Sequence, residues 1–307
     1  MSGAIVGPTC VIVLWIYGLM MPAMATWDFV RQGRSRQIAA YLMAHGLSRL
    51  GYHHPLMCEL RRLYRLAFDG YFVDHAWLTP NHTINEGTKR LCTLAGPHGI
   101  FSLALMRTMQ PQGYNSVLCV DDFLATWNPF MRIAAKCAGM QDLCGLRHDK
   151  IQSLMQDYAH DVVVIAGGFV EASVGTATSN RIVTHMWPYW VKMSLMHKFD
   201  VGFLWVYGGT EVFAQSDVGL GARLSLARRG IPAVIPSGKW GMPIPLAPKM
   251  RVVSARLELP HLPEPSPTDV SFWVDRFHAK VETLIHRTPP PPSSAPVELC
   301  NPLRAHL

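Results

Sequence analysis

The sequence predicts an α/β protein with a mainly parallel sheet flanked by helices, and two observations carry the expectation. Short β-branched runs, SVLCV (116–120), DVVVIA (161–166) and VGFLWVY (201–207), have the length and continuous apolarity of strands buried on both faces. Between and around them lie helical stretches, FLATWNPFMRIAAKCAGM, DKIQSLMQDYA and WPYWVKMSLMHKF. Strand–helix–strand alternation of this kind builds parallel sheets. At 307 residues the chain is long enough to bury a sizeable core.

Taken in order, the first element is apolar. No charged residue precedes Asp28, and AIVGPTCVIVLWIYGLMMPAMA approaches the roughly 20 residues needed to cross a bilayer, although Pro8 and Pro22 interrupt it. A kinked anchor, a cleaved signal peptide and a re-entrant segment compete here. The positive n-region of a signal peptide is missing, while Ala23-Met24-Ala25 resembles a cleavage site. Arg31, Arg34 and Arg36 follow at once and hold the remainder of the chain on the cytosolic side. Residues 1–30 are therefore expected to be a membrane anchor or embedded segment.

From Arg36 to Phe68 the pattern is helical, in two pieces separated by a Gly/His/Pro break. The second piece sets Leu56, Leu60, Leu63 and Leu66 on one face and Arg61, Arg62 and Arg65 on another. Such a helix suits either a membrane surface or the cover of a core. The alternating region follows, up to a Pro-rich connection, PHLPEPSPTD. Ser266 is placed to cap the next helix, with Pro267 in its first turn and Asp269 near its positive end. Val270, Val274, Phe277, Val281 and Leu284 then form one apolar stripe ending near Arg287. No internal repeat is visible. Residues 31–288 read as one domain, and 289–307, containing TPPPPSSAP, as a polyproline-like, disordered tail.

Composition narrows the partners. Hydrophobic residues make up 49% and charged residues 16%, against roughly 25% charged in ordinary soluble domains. Mean hydropathy is +0.13. Both favour a protein that touches lipid. A net charge of +7 implies an anionic partner. Nucleic acid is disfavoured because no basic run is interleaved with aromatics in a recognisable binding motif. Anionic lipid or a phosphate-bearing co-substrate fits better. The seven cysteines show no C-x-x-C pairing and no His/Cys spacing that suits zinc. Their odd number and scatter suggest reduced thiols rather than a disulfide framework.

Three constellations could carry chemistry. His98 stands between Pro97 and Gly99 at the head of an apolar run. A histidine so placed is either structural or, beside a glycine that lets ligand approach and a helix start that keeps imidazole neutral, a general base. Downstream, DVVVIAGGFVEA runs a strand into Gly167-Gly168 and then Glu171. That acid has three readings: orienting His98, lining a pocket, or standing solvated at a helix start. Finally, WVYGGTEVFAQ runs another strand into Gly208-Gly209 and Glu211. In open α/β sheets ligands bind beyond the carboxyl ends of strands, where both turns would lie.

Pro97-His98-Gly99 followed by Ile-Phe-Ser-Leu resembles the His-Pro-His-Gly signature of the type 2 diacylglycerol and monoacylglycerol O-acyltransferases. RRLYRLAFDGYFV precedes it in the expected place, VVVIAGGFVEA is similar to the family's Gly-Gly-x-x-Glu-Ala segment, and PYWVKMSLMHKFDVGFLWVYGGTEVFAQ to its stretch ending Phe-Gly-Glu-Asn-Glu-Val. VSFWVDRFHAKVETLI is similar to the closing helix. The resemblance runs from about Leu60 to Arg287. It departs at Gly96, where the family has its first histidine, and at Gly209, where it has the first glutamate of Gly-Glu-Asn-Glu.

The resemblance implies a glycerolipid acyltransferase-like fold at the endoplasmic reticulum membrane or lipid-droplet surface, its catalytic domain facing the cytosol. The activity implied is transfer of a fatty acyl group from acyl-CoA to a neutral-lipid hydroxyl, mono- or diacylglycerol first. His98 would be the base and Glu171 its partner, with Pro97, Gly99, Gly167, Gly168, Gly208 and Glu211 around substrate. Arg181, Lys192, Lys239 and Lys249 are candidates for the phosphates. Acyl-CoA is a co-substrate; no cofactor or metal is needed, and a homo-oligomer is left open. Two alternatives remain: a catalytically weakened lipid- or acyl-CoA-binding protein, and a wax-ester-forming enzyme that uses a long-chain alcohol. A lipid hydrolase is disfavoured because no G-x-S-x-G occurs, and Ser173 in EASVG lacks the first glycine.

Overall fold

The computed structural model describes residues 36–71, 75–76, 89–96, 115–174, 180–213, 219–229, 237–238, 246, 250–288, 290 and 297–300. The N-terminal segment 1–30 and Pro97, His98, Gly99, Lys239 and Lys249 lie outside the described residues.

In chain order the elements begin with α1 (Arg36–Ser48), α2 (Pro55–Tyr71), β1 (His75–Ala76), β2 (Leu91–Ala95) and β3 (Ser116–Val120). Next come α3 (Asp122–Trp127), α4 (Pro129–Cys137), β4 (Asp142–Gly145), α5 (His148–Gln156), β5 (Asp161–Val164) and α6 (Gly168–Val174). The chain continues through β6 (Asn180–Val183), α7 (Trp187–His197), β7 (Asp200–Tyr207), α8 (Leu220–Ala227), β8 (Met250–Leu257), α9 (Pro267–Arg287) and β9 (Val297–Cys300). Two compact units result, Met1–Tyr71 with Met109–Ile151, and Phe72–Thr108 with Gln152–Leu307. The architecture is α/β, with strands mostly parallel and helices packed against them.

In the first unit β3 and β4 pair in parallel, with Cys119 opposite Cys144. The stretch expected as one helix after β3 is two. Asn128 interrupts it and accepts a hydrogen bond from the Met131 N–H at 3.0 Å, and Pro129 opens α4. Proline lacks the N–H a continuous helix needs but suits a first turn, so the break is local chemistry. Lys136 on α4 is buried and donates to the carbonyls of Ser48 at 2.9 Å and Leu50 at 2.8 Å, tying down the end of α1. Met57 and Tyr64 form the buried face of α2. The leucine face read from the sequence points the other way: Leu56, Leu63 and Leu66 are exposed.

In the second unit the strands run in the order β1-β8-β7-β2-β5. Strand β2 pairs in parallel with β5 and β7, and among the described residues only the β7–β8 pairing is antiparallel. Every residue of β2 and β7 is buried, as the unbroken apolar runs require. Asp200, at the start of β7, locks the lower edge. Its carboxylate receives Arg256 at 2.6 Å and the Leu259 N–H at 3.1 Å, and its own N–H donates to the Arg90 carbonyl at 2.8 Å.

Helix α9 starts as its sequence dictates, with a reciprocal capping box between Ser266 and Asp269. Its stripe buries Phe277 and Val281 completely, and Trp187 of α7 meets Phe277 at a ring-centroid distance of 4.9 Å. Within the stretch read as a tail, β9 pairs in parallel with β6. Among the described residues, no helix is long and apolar enough to cross a membrane.

Candidate functional site

Because β2, β5 and β7 are parallel, their C-terminal ends emerge at one edge of the sheet. Ala95 faces Leu204 in the register, Leu94 faces Val164, and the Gly96 N–H extends the ladder to the Leu204 carbonyl at 2.9 Å. Strand β2 lies between the other two. Gly96, the last described residue after β2, therefore stands at this edge between the two glycine turns.

Beyond β5 the chain turns through Gly167 and Gly168 into α6. Gly168 has φ +49°, the left-handed region that glycine enters without strain. Gly167 is required for a different reason. A Cβ placed there would stand 2.2 Å from Glu171 Oε2 and 2.3 Å from Glu171 Cβ. The same carboxylate reaches across to β2, where a Cβ on Gly96 would stand 2.8 Å from Oε1. Two glycines thus make the slot in which the acid lies.

Glu171 is 2% exposed, which excludes the solvated reading. Its Oε2 accepts the backbone N–H of Val183 at 3.2 Å. A buried carboxylate needs such donors, since an unpaired one is costly. Glu171 therefore links the ends of β2, β5 and β6, and Gly96, against which its carboxylate lies, stands two residues before His98 in the sequence.

The second glycine turn is separate in form. Gly208 has φ +81°, and the chain after it makes a single 3₁₀ turn, Thr210–Val212. Glu211 is half-buried on that turn, at the end of the strand beside β2. The Tyr207 hydroxyl donates to the Thr288 carbonyl at 2.7 Å, fixing the end of α9 against this edge. Burial holds the Tyr207 phenol above its ordinary value.

One feature of the second unit was not anticipated from sequence. A cavity of about 710 Å³ opens between the N-terminal turns of α7 and α9, lined among others by His185, Tyr189, Lys192, Asp275 and His278. It begins one residue beyond Val183, at Thr184, so its wall continues directly from the strand end that Glu171 holds. Burial holds His185 below its ordinary value, leaving the ring neutral near pH 7. Lys192 is exposed and contributes the cavity's ammonium. The signal for His185 was weak: a histidine before Trp-Pro-Tyr-Trp reads as helix entry, and only packing of α7 on α9 makes a cavity there. Arg181 lies on β6, two residues before Val183.

Of the predicted site residues described, Glu171, Gly167 and Gly168 come together with Gly96. Gly208 and Glu211 share their sheet edge, and Lys192 faces the cavity. Ser173, weighed for a hydrolase, is fully buried and its hydroxyl donates to the Phe169 carbonyl at 2.8 Å. No group of three or more His, Cys, Asp or Glu side chains suited to a metal ion occurs among the described residues. Comparison with known protein families finds no match, and comparison with curated proteins finds none either.

Proposed function

We propose that the protein is a membrane-associated O-acyltransferase that moves a fatty acyl group from acyl-CoA to the hydroxyl of a neutral lipid, with mono- or diacylglycerol as the preferred acceptors. The observation that supports the reading is the buried Glu171 carboxylate between Gly96 and Gly167, at the sheet edge where β2 ends two residues before His98 in the sequence. A carboxylate of that kind orients a neighbouring imidazole and stabilises its charged form as it accepts a proton.

In this mechanism His98 takes the proton from the acceptor hydroxyl as the oxygen attacks the thioester carbonyl. Backbone N–H groups at the Gly99 turn stabilise the developing oxyanion. The thioester C–S bond then breaks, and coenzyme A leaves as a thiolate that takes up the proton from His98. Glu171 stays a carboxylate throughout and acts through the imidazole.

Two further features support the reading. The cavity beside Val183 combines the Lys192 ammonium with the Tyr189 ring, a pairing suited to a phosphate-bearing nucleotide moiety. On α1 the exposed side chains among those described, Ala39, Leu42, Met43 and Gly46, are apolar and at helical spacing, where a water-facing helix would carry polar groups. With exposed Leu56, Leu63 and Leu66 on α2, and Arg49, Arg62 and Arg65 exposed nearby in sequence, the first unit has the composition of an interfacial membrane surface.

The test is thin-layer analysis of lipid products from labelled acyl-CoA and a panel of mono- and diacylglycerols and long-chain alcohols. Labelled ester lost in His98→Ala and reduced in Glu171→Gln is the expected result. No ester with any acceptor, alongside intact acyl-CoA binding, would replace the enzyme with an acyl-CoA-binding protein.

A further inference from the structure

We propose that Cys144 and Cys119 form a peroxide-reactive dithiol, in which Cys144 is oxidised first and Cys119 resolves it into a reversible disulfide. The proposal concerns the first unit alone and is independent of the acyltransferase reading.

The placement comes from the strands. Cys119 of β3 and Cys144 of β4 are register partners in a parallel pair. Neighbouring strands lie about 4.8 Å apart and partner side chains project from the same face. That spacing falls within the roughly 4.4–6.8 Å between Cα atoms that a disulfide spans. The Cys144 S–H donates to the Gly145 carbonyl at 3.4 Å, and the Cys119 thiol is placed to hydrogen-bond the Cys144 sulfur. Both are reduced in this structure.

Their environments assign the roles. Cys119 is fully buried, whereas Cys144 is partly exposed. Peroxide from solvent therefore meets Cys144. The hydrogen bond from Cys119 favours the Cys144 thiolate, assisted by the Lys150 ammonium; burial, Asp122 and Asp142 oppose it, and the balance lowers its pKa. Lys150 is itself held 2.6 Å from Asp122, within the same cluster. Of the other described cysteines, Cys58 is exposed and Arg61 donates to its sulfur at 3.1 Å, whereas Cys92 and Cys137 are buried. Burial pushes the Cys92 thiol up to about 12 and Cys137 to about 11, which makes both poor nucleophiles. An accessible thiolate beside a second thiol is the arrangement of peroxide-sensing cysteines.

The chemistry balances with hydrogen peroxide as oxidant. The Cys144 thiolate attacks one peroxide oxygen, the O–O bond breaks, and sulfenic acid forms with loss of hydroxide. The Cys119 sulfur then attacks the sulfenic sulfur; its proton and the departing hydroxyl leave as water. Two thiols are oxidised and one peroxide is reduced to two waters.

The experiment uses the reduced full-length chain carrying Cys137→Ser, because Cys137 and Cys144 share one tryptic peptide. One equivalent of hydrogen peroxide is added, remaining thiols are alkylated, and intact mass and non-reduced peptides are read. A loss of two alkyl groups relative to the untreated, alkylated chain, with a peptide pair joined through Cys119 and Cys144, reversed by dithiothreitol, is the expected result. Cys119→Ser should leave Cys144 as a sulfenic acid captured by dimedone, and Cys144→Ser should abolish both the loss and any dimedone label on Cys119. Alkylation of both thiols with no joined peptide would overturn the proposal. So would dimedone capture at Cys119 in the Cys144→Ser chain, since that makes Cys119 directly reachable.

Discussion

Placing a methyl group at Gly96 tests whether the Glu171 carboxylate lies where it is drawn. The added Cβ of Gly96→Ala would be 2.8 Å from Oε1, about 0.6 Å inside an ordinary 3.4 Å contact. The atom it meets is the far end of a side chain, but that end is buried and accepts from the Val183 N–H, so moving it strains or breaks a hydrogen bond. Overpacking of this size costs about 1–2 kcal/mol. The same change in a Glu171→Ala background no longer meets the three nearest atoms, all of the Glu171 carboxyl group, and should cost much less, giving a coupling of about 1–2 kcal/mol. In Glu171→Gln, which keeps the shape, the full cost returns. Gly167→Ala behaves differently. Its Cβ would stand 2.3 Å from Glu171 Cβ, an atom that Glu171→Ala retains, so its cost of about 3 kcal/mol survives in that background. Urea unfolding of the full chain in detergent, followed by tryptophan fluorescence, measures all of these. Equal costs for Gly96→Ala with and without the Glu171 carboxylate would refute the placement.

Three more outcomes follow from particular contacts. Asp200→Asn leaves the Arg256 guanidinium, 7% exposed, without its charge partner and should cost about 3–5 kcal/mol in the same unfolding assay, whereas replacing both by apolar residues of similar volume should cost much less. Lys192→Ala should raise KM for acyl-CoA about fivefold, with kcat unchanged and dephospho-CoA thioesters less affected, if the cavity holds a phosphate as a ground-state contact; equal loss with both donors would assign Lys192 elsewhere. Leu42→Glu with Met43→Glu places two charges on the exposed stripe of α1 and should weaken flotation with phosphatidylserine vesicles at least about tenfold, leaving urea stability within about 0.5 kcal/mol. Unchanged flotation would remove this face from the membrane contact.

The strands and the last helix were legible in the sequence because their causes are local. SVLCV, DVVV and DVGFLWVY occupy parallel strands buried on both sides, and continuous β-branched apolarity is what such strands need. The start of α9 was readable from three residues, since a capping box is completed within one turn. The break at Asn128-Pro129 is equally local, a capping side chain followed by a proline in the first turn of α4.

The candidate site was legible only in its parts. Sequence marked Gly167, Gly168 and Glu171 but left the acid three roles; burial removed the solvated one, and the parallel register of β2 and β5 set Gly96 against its carboxylate. The cavity at His185 and Lys192 depends on two helices far apart in the chain.

By itself the sequence determined which segments become strands and helices, because propensity and capping act over a few residues. Tertiary structure alone decided which faces those elements bury. The leucines of α2 form one stripe in any helix, and only packing through Met57 and Tyr64 turned that stripe outward. The meeting of Cys119 with Cys144, and of Glu171 with two distant glycines, likewise required the register of strands, which no local pattern encodes.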